Sequence, residues 1–169
     1  MSDLGEDLLV RAGCSRAVRE HCRKVKEAAG EYLNPLVNQH LVETGALLHD
    51  VGRSITHSPA HAQAGAALAR DMGVSPSVVR IIECHLGAGL TSDECTLLRL
   101  IPRDCMPSTL EEKIVAHSDT MVQGSTICHL PTSAITSSSL KRRVRKRMLR
   151  LALEMRHCRD IRPDFYLSR

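Results

Sequence analysis

Aromatic residues are nearly absent from this chain: Trp does not occur, and there are only two Tyr and one Phe. A core without them falls to Leu, Val, Ile, Ala and Met, side chains suited to helices packed on helices. No apolar run approaches the roughly 20 residues that span a bilayer, so no membrane association is expected. The opening "MSDLGEDLLVRAG" is acidic and lacks the basic and then apolar regions of a signal peptide. A cytoplasmic protein is expected. Seven cysteines, at positions 14, 22, 84, 95, 105, 128 and 158, form no CxxC pair and are odd in number. That argues against a disulfide framework and a zinc-finger spacing, and leaves them as reduced, small apolar side chains. No alternating strand pattern, internal repeat or internal domain boundary stands out.

What is present reads as helix. At 169 residues the chain fits one domain with a real core. Leu4, Leu8 and Leu9 suggest a short first helix stopped near Gly13. Ser15 is placed to N-cap a helix carrying Val18, Cys22, Val25 and Ala29, with His21 beside its apolar face. A third helix runs through Leu41, Gly45 and Leu48 to the His49–Asp50 pair, with Gly52 expected to close it. A fourth starts near His61 with an expected inner stripe of Ala64, Leu68 and Met72. "SPSVVRIIECH" opens with Ser75 as cap and Pro76 at the first helical position, and ends at His85. "STLEEKIVAHSDTMV" reads as a capping box, Ser108 with Glu111, on a helix that holds Asp119. "PTSAITSSSL" is a polar connection to a last helix from about Ser139 to His157. The expected fold is all-α, a bundle of about six to eight helices.

The last helix carries "KRRVRKR", in which Lys141, Arg142, Arg143, Arg145, Lys146 and Arg147 are basic. Two readings stand: a solvated helix face, or a surface that grips polyanions such as RNA.

"LLHDVGRSITHSPAH" sets three histidines and an aspartate close to an apolar segment, where such groups are costly to bury unless paired. With residues elsewhere, the candidate ligand set is His21, His49, Asp50, His61, His85 and Asp119. Taken singly, each is also readable as a core histidine or a salt-bridging aspartate. The adjacent pair is more informative. Neighbours on a helix point about 100° apart, so His49 and Asp50 reach one ion only at a helix end or a distorted turn. Histidine with carboxylate suits Fe, Mn, Zn, Co or Ni more than Mg or Ca.

The order His21, His49–Asp50, Asp119 resembles the signature of the HD-domain metal-dependent phosphohydrolases. "GALLHDVGR" is similar to the family's HDIG form, with Val51 for Ile and Arg53 where many members have Lys. "HAQAG" resembles the His-x-x-x-Gly helix start of two-metal members, "ECHLGAG" their later histidine, and "KIVAHSDTMV" their last motif helix. The motif-bearing core runs from about residue 15 to 122, followed by a basic helical extension over about 136–158. The resemblance extends to small archaeal-type HD proteins, relatives of which occur fused to a tRNA ribose methyltransferase.

That resemblance implies a single HD domain over residues 1–169 and a hydrolase acting on a nucleotide or other small phosphoester. It implies that His21, His49, Asp50 and Asp119 bind one divalent transition-metal ion. Asp50 would bridge to a second, held by His61 and His85. Two ions roughly 3.5–4 Å apart clamp a phosphate and activate water. Arg53 reads either as a phosphate-steadying cation or as a surface arginine at a helix end. His57 reads as a phosphate contact, a proton donor to the leaving group, or a plain loop residue. Two alternatives use the same residues: an RNA-associated module relying on the basic helix, and a di-iron oxygenase of the same superfamily.

Overall fold

The computed structural model describes residues 4–128 and 142–160. In these the chain forms eight α-helices: α1 (Leu4–Arg11), α2 (Arg16–Gly30), α3 (Gln39–Leu48), α4 (His61–Asp71), α5 (Pro76–Cys84), α6 (Ser92–Leu97), α7 (Leu110–Met121) and α8 (Arg142–Asp160). A single 3-10 turn, Val51–Ser54, follows α3. A two-stranded antiparallel hairpin, β1 (Val122–Gln123) and β2 (Thr126–Ile127), follows α7 directly. Strands of two residues are too short to show alternation, so the sequence carries no visible sign of this hairpin. The all-α expectation holds.

Helix starts follow their caps. Ser15 Oγ accepts from Val18 N at 3.3 Å, and α2 then buries Val18, Cys22, Val25, Ala28 and Ala29. Ser75 and Pro76 open α5. The α7 capping box lies one residue later than the sequence suggests: Thr109 caps and Glu112 reaches back. The physical reason is that the buried Glu112 carboxylate accepts from both the Ser108 and the Thr109 backbone N–H groups. Glu111 instead turns outward to accept from Asn38 N.

Two other expectations need correction. Gly52 does not end α3 through a positive φ; its role is close approach. A Cβ there would lie 2.0 Å from His61 O and 2.5 Å from Gly65 N, so bare backbone lets the 3-10 turn sit against α4. The buried stripe of α4 is accordingly small-sided, comprising Ala62, Gly65, Ala66 and Ala69, while Leu68 and Met72 are only partly covered.

Helices α2, α3 and α5 are shared between the two largest buried clusters. One cluster joins Val25, Val42 and Ile81 to Ile114, Val115, Met148 and Met155. The other joins Cys22, Leu47, Leu48 and Ile82 to Leu9, Val51 and Ala66. The helices packed against both clusters are therefore the ones that carry His21 or lead directly into His49 and His85. Val144, Met148, Leu151 and Met155 recur at helical spacing on α8 and are buried. The basic extension is thus an amphipathic helix with an apolar stripe in the core. The expected start of this helix near Ser139, Lys141 and the connection before it lie outside the described residues. All seven cysteines are free, and six are buried.

Candidate metal centre

His21 projects from α2. His49 and Asp50 sit at the junction of α3 with the 3-10 turn. His61 is the first residue of α4, His85 the residue after α5, and Asp119 lies near the end of α7. The fold brings all six candidate ligands together. His61 Nε2 is 3.1 Å from His85 Nε2 and 3.1 Å from Asp50 Oδ1. His85 Nε2 is 3.6 Å from the same oxygen. Asp50 Oδ2 faces His49 Nε2 at 3.7 Å and His21 Nε2 at 3.8 Å. Asp119 Oδ1 completes that side, 3.1 Å from His21 Nε2 and 3.4 Å from His49 Nε2.

The tautomers follow from the other ring nitrogens. His49 Nδ1 donates to Ala46 O, His61 Nδ1 to Ser58 O and His85 Nδ1 to Ile82 O, each at 2.7 Å. His21 Nδ1 donates to Gly124 O at 2.9 Å. A neutral imidazole that donates from Nδ1 has only a lone pair at Nε2. In their neutral forms the four imidazoles therefore turn their Nε2 lone pairs toward the two carboxylates. Two facing Nε2 lone pairs at 3.1 Å repel each other, and a shared cation turns that repulsion into ligation. His49 Nε2 and Asp50 Oδ1 are buried without a hydrogen-bond partner, which a metal ion in this place would resolve. The donor set of imidazole nitrogens and carboxylate oxygens fits a divalent transition metal. Two groups of ligand atoms lie close enough to hold one ion each: His21, His49 and Asp119, and His49, Asp50 and His85.

The buried charges are tightly paired. Burial alone would raise both carboxyl pKa values, but His49 holds Asp50, and His21 with His49 holds Asp119, far below the usual carboxylate range. Burial opposes a charge on His49, yet the Asp50 carboxylate keeps its pKa well above the ordinary value. Burial pushes His85 down. His49 therefore holds a proton on the Nε2 that faces the two carboxylates, and an incoming cation would displace it.

Arg53 donates from Nε to Asp50 Oδ2, and its side chain is 32% exposed. His57 lies exposed on the loop before α4 and makes no hydrogen bond or ion pair with described residues. His117, on the same helix as Asp119, points elsewhere: its Nε2 meets the Tyr32 hydroxyl at 2.9 Å. Among the basic residues of α8, Arg147 donates to Glu94 Oε2 at 2.8 Å and to Gly89 O at 2.6 Å. Arg143 pairs with Glu94 Oε1 at 2.9 Å. Arg142 and Lys146 are exposed, and Arg145 is half-buried. The sequence reading did not find the four carbonyls that orient the imidazoles. Three of them lie three residues before their histidine, a signal available only once the helix ends are known. The fourth, Gly124 O, is 103 residues from His21.

Comparison with known proteins gives a consistent picture. An uncharacterised protein of Methanocaldococcus jannaschii is 44% identical over 118 residues, covering 66% of this chain and 70% of the relative. A tRNA (cytidine(56)-2'-O)-methyltransferase of Thermoplasma volcanium is 42% identical over 121 residues, 70% of this chain but only 35% of the relative. This chain therefore spans about a third of that enzyme's length. In three dimensions the chain is similar to the HD domain of the L. monocytogenes phosphodiesterase PgpH, with a TM-score of 0.59, 13% identity, and coverage of 94% of this chain and 95% of that one. A structure of that domain in complex with cyclic-di-AMP superposes with a TM-score of 0.57 at 15% identity, covering 96% of this chain and 85% of that one. At those identities the likeness is one of fold. The HD domain family model matches residues 15–122, the stretch that holds all six converging side chains, and the chain belongs to the HD-domain family.

Proposed function

We propose that this protein is a metal-dependent phosphohydrolase or phosphodiesterase acting on a nucleotide or another small phosphoester. The observation that carries the reading is the convergence of four imidazole Nε2 atoms and two carboxylates, with His61 and His85 facing at 3.1 Å. His21, His49, Asp50 and Asp119 would hold one divalent transition-metal ion, and Asp50, His61 and His85 a second. Such ions supply Lewis acidity to a phosphoryl oxygen and lower the pKa of water toward neutrality.

The chain's own residues do the rest. Asp50 places one oxygen on each side of the site and so fixes the spacing of the two ligand groups. Arg53, tethered to Asp50 through Nε, turns its remaining N–H groups toward the non-bridging phosphoryl oxygens, where charge builds up in the transition state. His57, exposed on the adjoining loop, would contact the phosphate or donate a proton to the leaving oxygen. A nucleotide substrate is favoured by the similarity in fold to a domain that binds cyclic-di-AMP. We take residues 1–169 as one HD domain, since α8 packs its apolar stripe into the cluster shared with α2, α3 and α7.

The test is hydrolysis of bis-p-nitrophenyl phosphate and of cyclic and linear dinucleotides by manganese-loaded protein. His49→Ala is expected to abolish both metal and activity; full activity in that variant would refute the reading. An oxygenase would instead consume oxygen when iron-loaded.

A second reading is RNA association through α8, supported by the tRNA methyltransferase relatives. Exposed Arg142 and Lys146 would contact phosphates, whereas Arg147 is committed to Glu94 and Gly89. Binding to tRNA that weakens steeply with salt supports this role, and salt-independent binding or none removes it.

A further inference from the structure

The four imidazoles are not oriented in the same way. His49, His61 and His85 each donate from Nδ1 to the carbonyl three residues earlier, so their own chain segments preset them. His21 sits mid-helix on α2, where its own turn offers it no such carbonyl. Its partner is Gly124 O at 2.9 Å, in the turn of the β1–β2 hairpin. That turn has positive φ at Gly124 (62°) but not at Ser125, a pattern in which the first turn residue favours glycine. The hairpin starts immediately after α7, the helix that carries Asp119, and Cys128 N closes its base by donating to Met121 O at 2.7 Å. Both strands contact α2. The His21 and Asp119 side chains are 17% and 23% exposed, whereas those of His49, Asp50, His61 and His85 are 0–3% exposed. One side of the site is deeply buried and locally preset. The other is nearer the surface and depends on a distant turn.

We propose that the Gly124 carbonyl is the positioning group for His21, so that the 122–127 hairpin sets occupancy of the His21–Asp119 side of the metal site independently of the His61–His85 side. The inference rests on the two-ion reading above. Gly124 is a positioning residue: it touches no ion, and it acts by holding the His21 ring with Nδ1–H outward and the Nε2 lone pair inward. Loss of such an orienting partner costs roughly 10–100-fold in metal affinity. Displacing the hairpin would therefore weaken one ion by that factor and leave the other in place.

The test is calorimetric titration of the full-length, metal-stripped protein with Mn(II), alongside a thermal melt of each sample. Gly124→Val is a clean perturbation, because a Cβ there would meet nothing within 4 Å, yet a β-branched residue resists positive φ. Thr126→Pro perturbs the same turn independently, by removing the N–H of a paired strand residue. His21→Ala is the reference. The expected result is two ions in the wild type. In both hairpin variants, one of these is weakened roughly 10–100-fold, as in His21→Ala, and the other is held within about threefold. Two ions bound with wild-type affinity in both variants would overturn this inference and leave the two-ion reading intact. Equal weakening of both ions would also overturn it. A wild type that binds no Mn(II) would overturn the inference and the two-ion reading together.

Discussion

Asp50 turns one carboxylate oxygen toward His61 and His85 and the other toward His21 and His49, while Arg53 donates to the latter oxygen. The guanidinium thus sits at the edge of the cluster, where a phosphoryl group would arrive, and its 32% exposure leaves room for one. Arg53→Ala is expected to lower kcat by roughly 10²–10³-fold, the usual effect of removing one donor to developing oxyanion charge. Metal content should stay at the wild-type level. Steady-state kinetics with elemental analysis of the same sample checks both; unchanged kcat would make Arg53 a tether for Asp50 only. At this scale the sequence was largely legible. All six residues expected to converge do so, because the family motifs pick out these positions by residue type and spacing. The orienting carbonyls were not legible, since a backbone group leaves no signature in residue type.

Among the elements, the 3-10 turn and α4 meet with almost no side chain between them. Gly52→Ala would push a Cβ against His61 O and Gly65 N, backbone atoms that have nowhere to go. A loss of about 3 kcal/mol is expected, the upper end for overpacking, read from the urea midpoint. A loss under about 0.5 kcal/mol would mean that the contact is looser than it looks. At the other end of the molecule, Glu94 ties α6 to α8 through Arg147 and Arg143 while also closing the Thr91 capping box. Burial acts to raise its pKa, but Arg147, the Thr91 N–H and Arg143 prevail and lower it below its usual 4.5. A carboxylate lowered on folding stabilises the fold above its unfolded pKa, and that contribution is lost as the pH falls through the lower folded value. Glu94→Gln should therefore cost about 2 kcal/mol at pH 7, with the gap to wild type closing as the pH drops below 4.5. Urea titrations at pH 7 and pH 3.5 read the difference; a gap of constant size would show that the charge is unimportant. The same pair explains why "KRRVRKR" was ambiguous in sequence. Val144 and Arg147 face the core side and Glu94, while Arg142 and Lys146 face water, and spacing alone does not say which basic residues find an acid.

For the molecule as a whole, the paucity of aromatics was a sound guide to helices packed through Leu, Ile, Val, Ala and Met. Helix number and most boundaries followed from caps and glycines. What stayed hidden was long-range. Gly52 looked like a helix stop, although its function is to admit α4. The hairpin that holds His21 is too short for any periodic signal. No helix among the described residues is long and apolar enough to cross a membrane. The bundle is built around a centre that places carboxylates and imidazole nitrogens in desolvated space. Such an arrangement is costly without a cation and favourable with one. The most direct test is bound metal per chain, by elemental analysis of wild type and Asp50→Ala purified side by side without chelator. Close to two transition-metal ions in the wild type, falling sharply in the variant, is the expected result. No bound metal in the wild type, even after reloading with manganese or iron, would contradict the metal centre and the hydrolytic function built on it.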